Sequence, residues 1–263
     1  MIKFSKAHAY GNDFLYIEAA AVAGMALDAL ARELCDRHTG IGADGLILFA
    51  SAPHGATMVL FNADGGRAEV SGNGVRGLAA LLLRHDTRAA AGITIHTEGG
   101  MKQLTRTATA KTRQTFRAAM GLPERLRRIP LTAAGEALQV VTMSFGNPQS
   151  VVLGPLPDET RFRRLGPAIE RHEAFRDGTN VEFAVVESPG VVRILIWERG
   201  VGPTMSSGTG SCAALIAAAA FGGAARDAEV VAPGGAQRVE WRDEAVYLTG
   251  WAEVLFDGEW AGR

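Results

Sequence analysis

Cysteine is nearly absent: Cys35 and Cys212 are the only two in 263 residues. Two cannot build a disulfide framework, and no close Cys/His cluster has the spacing of a metal site. Ten prolines and 32 glycines are too few for a low-complexity chain, and 47% hydrophobic with 21% charged residues is a globular balance. Disorder, collagen and coiled coil are excluded on those values. Charge of one sign is missing too: 27 Lys+Arg meet 28 Asp+Glu, a formal net charge of −1. That removes the electrostatic footprint of a dedicated nucleic-acid binder. The longest apolar run, Cys212 to Phe221, is mostly alanine and too short to cross a bilayer. The opening MIKFSKAHAYGNDF has no apolar signal core. The expectation is a soluble cytoplasmic protein with no membrane and no nucleic-acid partner. Its length suits one large domain or two small ones and a core that needs no staples.

What is present is self-similarity. Gly11-Asn12-Asp13 returns as Gly146-Asn147-Pro148, 135 residues later. Three further landmarks recur at an offset of 136: Gly42-Ala43-Asp44-Gly45-LILF with Gly178-Thr179-Asn180-Val181-EFAV, Phe61 to Gly66 with Trp197 to Gly202, and Ser71-Gly72-Asn73-Gly74 with Ser207-Gly208-Thr209-Gly210. Singly these are turn punctuation. Four in one order at nearly one offset mark two related halves.

Local patterns agree within each half. Residues 2–18 and 140–153 carry β-branched and aromatic runs broken at a Gly-Asn turn, the pattern of a strand pair. Residues 24–38 space Met25, Leu27, Leu30, Ala31 and Leu34 as an amphipathic helix, and 160–173 is its counterpart, interrupted at Gly166-Pro167. Short strands follow: GLILF, TMVLF and GITIHT, then VEFAVV, VVRILIW and AEVVA. Their spacing favours antiparallel meanders over βαβ units. An apolar helix follows each Ser-Gly-x-Gly, over 74–85 and 210–221; the second is apolar all round and should be buried on all sides. The expected class is α+β: two pseudo-symmetric domains, each a mostly antiparallel sheet wrapped around a central helix. The seam falls in the charged stretch 110–135, giving domains of 1–116, with the final strand 251–263 returning to it, and 117–250.

Ser-Gly-x-Gly before a helix leaves bare N–H groups at a positive dipole end, a ready anion site. An ordinary cap would have the same residues; the doubling and the polar neighbours favour the site. GNGVRG, residues 72–77, also fits G-x-G-x-x-G. A dinucleotide fingerprint requires a strand running into the first glycine, and the polar stretch Asn62–Val70 precedes it instead. Asn12, Asn62, Asn73, Asn147 and Asn180 lie in turns or beside glycine. Each alone is a turn residue; together they supply neutral donors and acceptors for an ammonium and a carboxylate. Glu198-Arg199 is a rim ion pair worth little, or, if Arg199 is buried, a bidentate clamp on a distal carboxylate.

At these residues the chain resembles the diaminopimelate epimerase family of the proline racemase-like fold. KAHAYGNDF, CDRHTGIGADG, FNADGGRAEVSGNGVRG, GNPQ, DGTNVEF and WERGVGPTMSSGTGSCAA carry the resemblance over nearly the whole chain. It implies the diaminopimelate epimerase-like fold, an active site in the cleft between two domains, and stereoinversion at the α-carbon of L,L-diaminopimelate. No cofactor is implied, neither pyridoxal phosphate nor metal. In the family one cysteine removes the α-proton while a second delivers one on the opposite face. By resemblance Asn12, Asn62, Gly72, Asn73, Asn147, Asn180, Glu198, Arg199, Gly208 and Thr209 hold a small amino-acid or dicarboxylate substrate. A homodimer is a further expectation of this kind.

By the same resemblance, Ser71 and Ser207 stand at the two catalytic cysteine positions, Gln149 where the family usually has histidine, and Gly77 where many members carry a further cysteine. Cys212, five residues past Ser207, reads as a small core residue. A thiol titrates near 8.5 and is lowered at a helix start; a serine hydroxyl has no accessible anion near neutral pH and needs a base beside it. Three readings stay open at this point: an epimerase working through serines, an isomerase or dehydratase of another acid, or a silenced Cys-to-Ser form that binds an amino acid or carboxylate without racemising it.

Overall fold

The computed structural model describes residues 1–262, which divide into two compact units, Met1–Ala118 with the segment from Gly250 onwards, and Ala119–Thr249. The first contains β1 (Ile2–Ala9), β2 (Asn12–Glu18), α1 (Leu27–Cys35), β3 (Gly45–Ala52), β4 (Gly55–Asn62), β5 (Arg67–Ala68), α2 (Gly72–Leu82), β6 (Gly92–Thr97), β7 (Gly100–Ala110) and β8 (Arg113–Ala119). The second contains β9 (Glu124–Ala133), β10 (Glu136–Ser144), β11 (Pro148–Leu153), α3 (Glu159–Glu170), β12 (Asn180–Ser188), β13 (Val191–Glu198), β14 (Gly202–Thr204), α4 (Gly208–Phe221), β15 (Asp227–Ala232) and β16 (Gly235–Trp241). Strand β17 (Val246–Trp260) starts against β16 and finishes against β1.

Element order repeats: β1 to α2 corresponds to β10 to α4 one for one, as do β6 and β7 to β15 and β16. Pairing repeats with it. In the first unit β1–β2, β3–β4, β6–β7 and β7–β8 are antiparallel, and β8–β17 and β17–β1 close the sheet into a barrel. In the second, β9–β10, β10–β11, β12–β13, β15–β16 and β16–β17 are antiparallel, and Met120 and Gly121 exchange backbone hydrogen bonds with Val246.

Spacing had favoured meanders, and here the structure corrects it. Four pairs are parallel, β2–β3, β4–β6, β11–β12 and β13–β15, each bridged by one helix. A βαβ crossover fits in about 10–12 residues, and these short connections suffice. β8 and β9 run through the charged stretch 110–135, and the two units meet in sequence inside it, at Ala118–Ala119.

The helices explain the packing. α2 and α4 lie inside their sheets, so Asn73–Leu81 is buried continuously and α4 is buried over nearly its whole length. Six alanines and no charge in α4 let strands approach it from every side. Helices α1 and α3 cover the opposite sheet faces, with Leu30, Leu34, Phe162, Leu165 and Ile169 turned inward. Strands between two helix layers are apolar on both faces, hence the unbroken burial of Gly45–Phe49. α3 is continuous, not interrupted at Gly166-Pro167. Pro167 costs one hydrogen bond, while Gly166 lets the Trp197 indole lie directly on the helix: a methyl there would stand 2.6 Å from the ring.

Pairing also corrects the repeat. Tyr16 faces Ile47 across β2–β3, and Val151 faces Glu182 across β11–β12, so Ile47 corresponds to Glu182 at an offset of 135. The LILF–EFAV match at 136 is therefore one residue out, which would put each side chain on the wrong face. A bulge between Val186 and Ser188 supplies the extra residue, and later landmarks stand at 136.

Candidate active site

In the first unit, Ser71 is the N-cap of α2 and its Oγ accepts from Gly74 N at 3.1 Å. Gly72 opens the helix, exposed, and the next residue, Asn73, is buried. Asn73 Nδ2 donates to Asn12 Oδ1 at 3.3 Å, and Arg76 Nη2 donates to Asn73 Oδ1 at 2.5 Å. Asn12 Nδ2 in turn donates to Asp44 Oδ2 at 2.7 Å. Both asparagine amides are thereby oriented. Behind them, Lys6 and Arg37 pair with Asp13, and Arg37 also reaches Asp44. Burial raises the Asp13 carboxyl, but hydrogen bonds and charge from Arg37 and Lys6 outweigh it and leave Asp13 below the usual carboxylate range. Asn62 is exposed at the end of β4, where its backbone closes a turn with Gly65 and Gly66.

The second unit repeats the device. Ser207 caps α4 and its Oγ accepts from Gly210 N at 3.2 Å. Gly208 is buried and Thr209 half-buried. Gln149 Nε2 donates to Asn147 Oδ1 and to Thr209 Oγ1, both at 3.0 Å, and Asn147 Nδ2 reaches the same hydroxyl at 3.4 Å. The Gly-Asn-Pro-Gln turn is thus tied to the start of α4. Asn180 Nδ2 donates to Pro148 O at 3.2 Å and its Oδ1 accepts from Arg199 N at 2.9 Å.

In both units the first helical N–H groups have no partner within their helix, and the capping serine satisfies only one of them. Such a start can take a carboxylate.

A family model described as diaminopimelate epimerase matches residues 4–126 and 141–255. The chain belongs to the diaminopimelate epimerase family. It is 40% identical to a diaminopimelate epimerase of Desulforudis audaxviator over 98% of this chain and 99% of that one. With a diaminopimelate epimerase of Desulfovibrio desulfuricans it shares 36% identity over 98% of each. A predicted epimerase from Pseudomonas aeruginosa, 17% identical, superposes over the full length of both chains with a TM-score of 0.75. The fold is the diaminopimelate epimerase-like one.

Within this family member, the expected site residues divide. Asn73 and Asn12 form one hydrogen-bonded group with Arg76 beside the Ser71 cap, and Thr209 and Asn147 another with Gln149 beside the Ser207 cap. Arg199 departs from the buried-clamp reading: it is exposed, and Nη1 donates to Asp177 O at 2.9 Å. Glu198 is half-buried. A cysteine at position 77 is not accommodated, because its Cβ would collide with the Tyr16 hydroxyl, itself bonded to Gly74 O. Cys212 is fully buried in the core around α4, and burial pushes the Cys35 thiol up to about 12; neither is a reactive thiol.

Two residues escaped the sequence reading. Asp44 orients Asn12, and nothing in GADG distinguishes it from a turn aspartate. Glu182 is completely buried, with neither carboxyl oxygen hydrogen-bonded. Burial, and then the charge of Glu198, raise it well above the carboxylate range. Its signal was visible: a lone acid inside the apolar run VEFAVV, on the side facing α4.

No helix among the described residues is long and apolar enough to cross a membrane.

Proposed function

We propose that this protein is a cofactor-independent amino-acid epimerase that interconverts L,L- and meso-diaminopimelate. A proton is taken from the α-carbon and another is returned to it. Ser71 and Ser207, one in each of the two domains, stand at the proton-transfer positions. Asn12, Asn62, Gly72, Asn73, Asn147, Asn180, Glu198, Arg199, Gly208 and Thr209 hold the substrate. The observation that carries this reading is the capped glycine helix start, built twice with the same serine-to-glycine hydrogen bond. Its open N–H groups offer a carboxylate the charge stabilisation that an α-carbanion also requires. A cytoplasmic homodimer belongs to the same proposal.

Serine makes the chemistry slow. A hydroxyl has to surrender its proton to a partner in step with substrate, and Gln149, bonded through Nε2 to Asn147 and Thr209, is no base. Replacing both serines by cysteine restores groups that ionise near neutrality. Chiral chromatography of L,L- and meso-diaminopimelate should show slow interconversion by the natural chain and at least about 10²-fold faster interconversion by Ser71→Cys/Ser207→Cys. No interconversion by either protein rejects the reading.

A further inference from the structure

Glu182 lies in β12, where strand period puts it on the same side as Asn180 and Ala184. Its neighbours across the sheet are Val151 on β11 and Ile196 on β13, and both pack in the core around α4. The carboxyl therefore points at that helix. A methyl group on Gly210 would stand 2.5 Å from Glu182 Oε1 and 3.1 Å from Ser207 Oγ. The two oxygens border one small space in the first turn, within reach of a rotamer change or one bridging water.

The repeat supplies the control. In the first unit the same place belongs to Ile47, whose Cδ1 would stand 2.7 Å from a methyl on Gly74. A hydrocarbon fills that space comfortably; a carboxyl with no hydrogen bond does not. The first turn of α4, Thr209 to Ser211, carries no charge, and Gln149, on the same face of β11 as Val151, is neutral. Glu198 on β13 is the one charge acting on it, and its sign is the same.

We propose that Glu182 is the proton relay of the Ser207 half of the site, passing a proton to and from the Ser207 hydroxyl. This rests on the epimerase reading above. As the carbanion is protonated, Ser207 Oγ–H gives its proton to the α-carbon and Glu182 O–H gives its own to Oγ. The negative charge ends on the Glu182 carboxylate. In the reverse direction the carboxylate takes the Ser207 proton as Oγ takes the α-proton. The hydroxyl has capacity for this: one lone pair accepts from Gly210 N, which leaves the second to accept from Glu182 and the hydrogen for substrate. Glu182 acts through Ser207 rather than on substrate, so it is a positioning and proton-supplying residue.

Glu182→Gln keeps the shape and removes the acid. With Ser207 in place it should lower α-proton exchange of diaminopimelate by about 10²-fold or more and flatten its pH profile. In a Ser207→Cys background, where a thiol carries its own proton, the same substitution should change exchange by less than about threefold. Equal losses in both backgrounds, or no loss in either, overturn the relay. Infrared spectroscopy gives a readout independent of turnover: a protonated carboxyl band at neutral pH, lost in Glu182→Gln and shifted in Ser207→Ala. A missing or unshifted band overturns the relay. A shifted band in a protein that exchanges no diaminopimelate proton supports the relay and rejects the epimerase reading.

Discussion

Burying Glu182 under the first turn of α4 ties the stability of the second unit to pH. The unfolded carboxyl titrates near 4.3, while the native one keeps its proton to higher pH because burial and Glu198 disfavour the anion. Above the unfolded value the native state holds more protons than the unfolded state, so stability falls as pH rises, until the native group itself ionises. The slope in that window is about 1.4 kcal/mol per pH unit. Glu182→Gln removes it. Denaturant midpoints should therefore show the variant gaining on the natural protein as pH rises from 4 to 7, with the gain gone near pH 4. A constant difference across that range would mean that Glu182 does not hold its proton. The residue escaped the sequence reading, because strand alternation gives its face only once β12 is placed against α4. Its partner Ser207 was legible from Ser-Gly-x-Gly, but their meeting was not, because only folding brings β12 under α4. Asp44 was hidden for the same reason: its hold on Asn12 spans 32 residues of chain.

At the scale of elements, α3 shows a local rule yielding to packing. Gly166-Pro167 reads as a break, since glycine costs about 1 kcal/mol in a helix and proline about 3. Yet the helix continues, because Trp197 lies on Gly166, packs edge-on against Phe162 and donates Nε1–H to Glu170 at 2.7 Å. The indole cannot retreat without losing that hydrogen bond. Gly166→Ala, stabilising in an exposed helix, should here destabilise by about 1–3 kcal/mol through overpacking and perturb tryptophan fluorescence. A more stable variant would show that the contact is soft. The other helices were legible: α1 from its apolar stripe, α2 and α4 from their capped, apolar sequences. β7 to β9 were not. Their polar, exposed stretches share no alternation strong enough to mark strands. Parallel pairing was missed because it is a property of crossovers, which no strand sequence encodes.

At the scale of the molecule, the duplicated architecture was readable because turn glycines and caps recur at a nearly constant offset, even where core side chains have diverged. What spacing could not supply was the one-residue bulge after Val186, and with it the correspondence of Ile47 to Glu182. That exchange separates the halves chemically: both have a capped glycine start, and only one has an acid behind its serine. On the proposed function, these starts serve proton transfer at the α-carbon of diaminopimelate. Incubation with L,L- and meso-diaminopimelate in D₂O, followed by proton NMR, tests it directly. The α-proton signal should be lost slowly with the unmodified protein, faster with Ser71→Cys/Ser207→Cys, and more slowly with Glu182→Gln. An undiminished α-proton signal with both the natural and the cysteine proteins would contradict it.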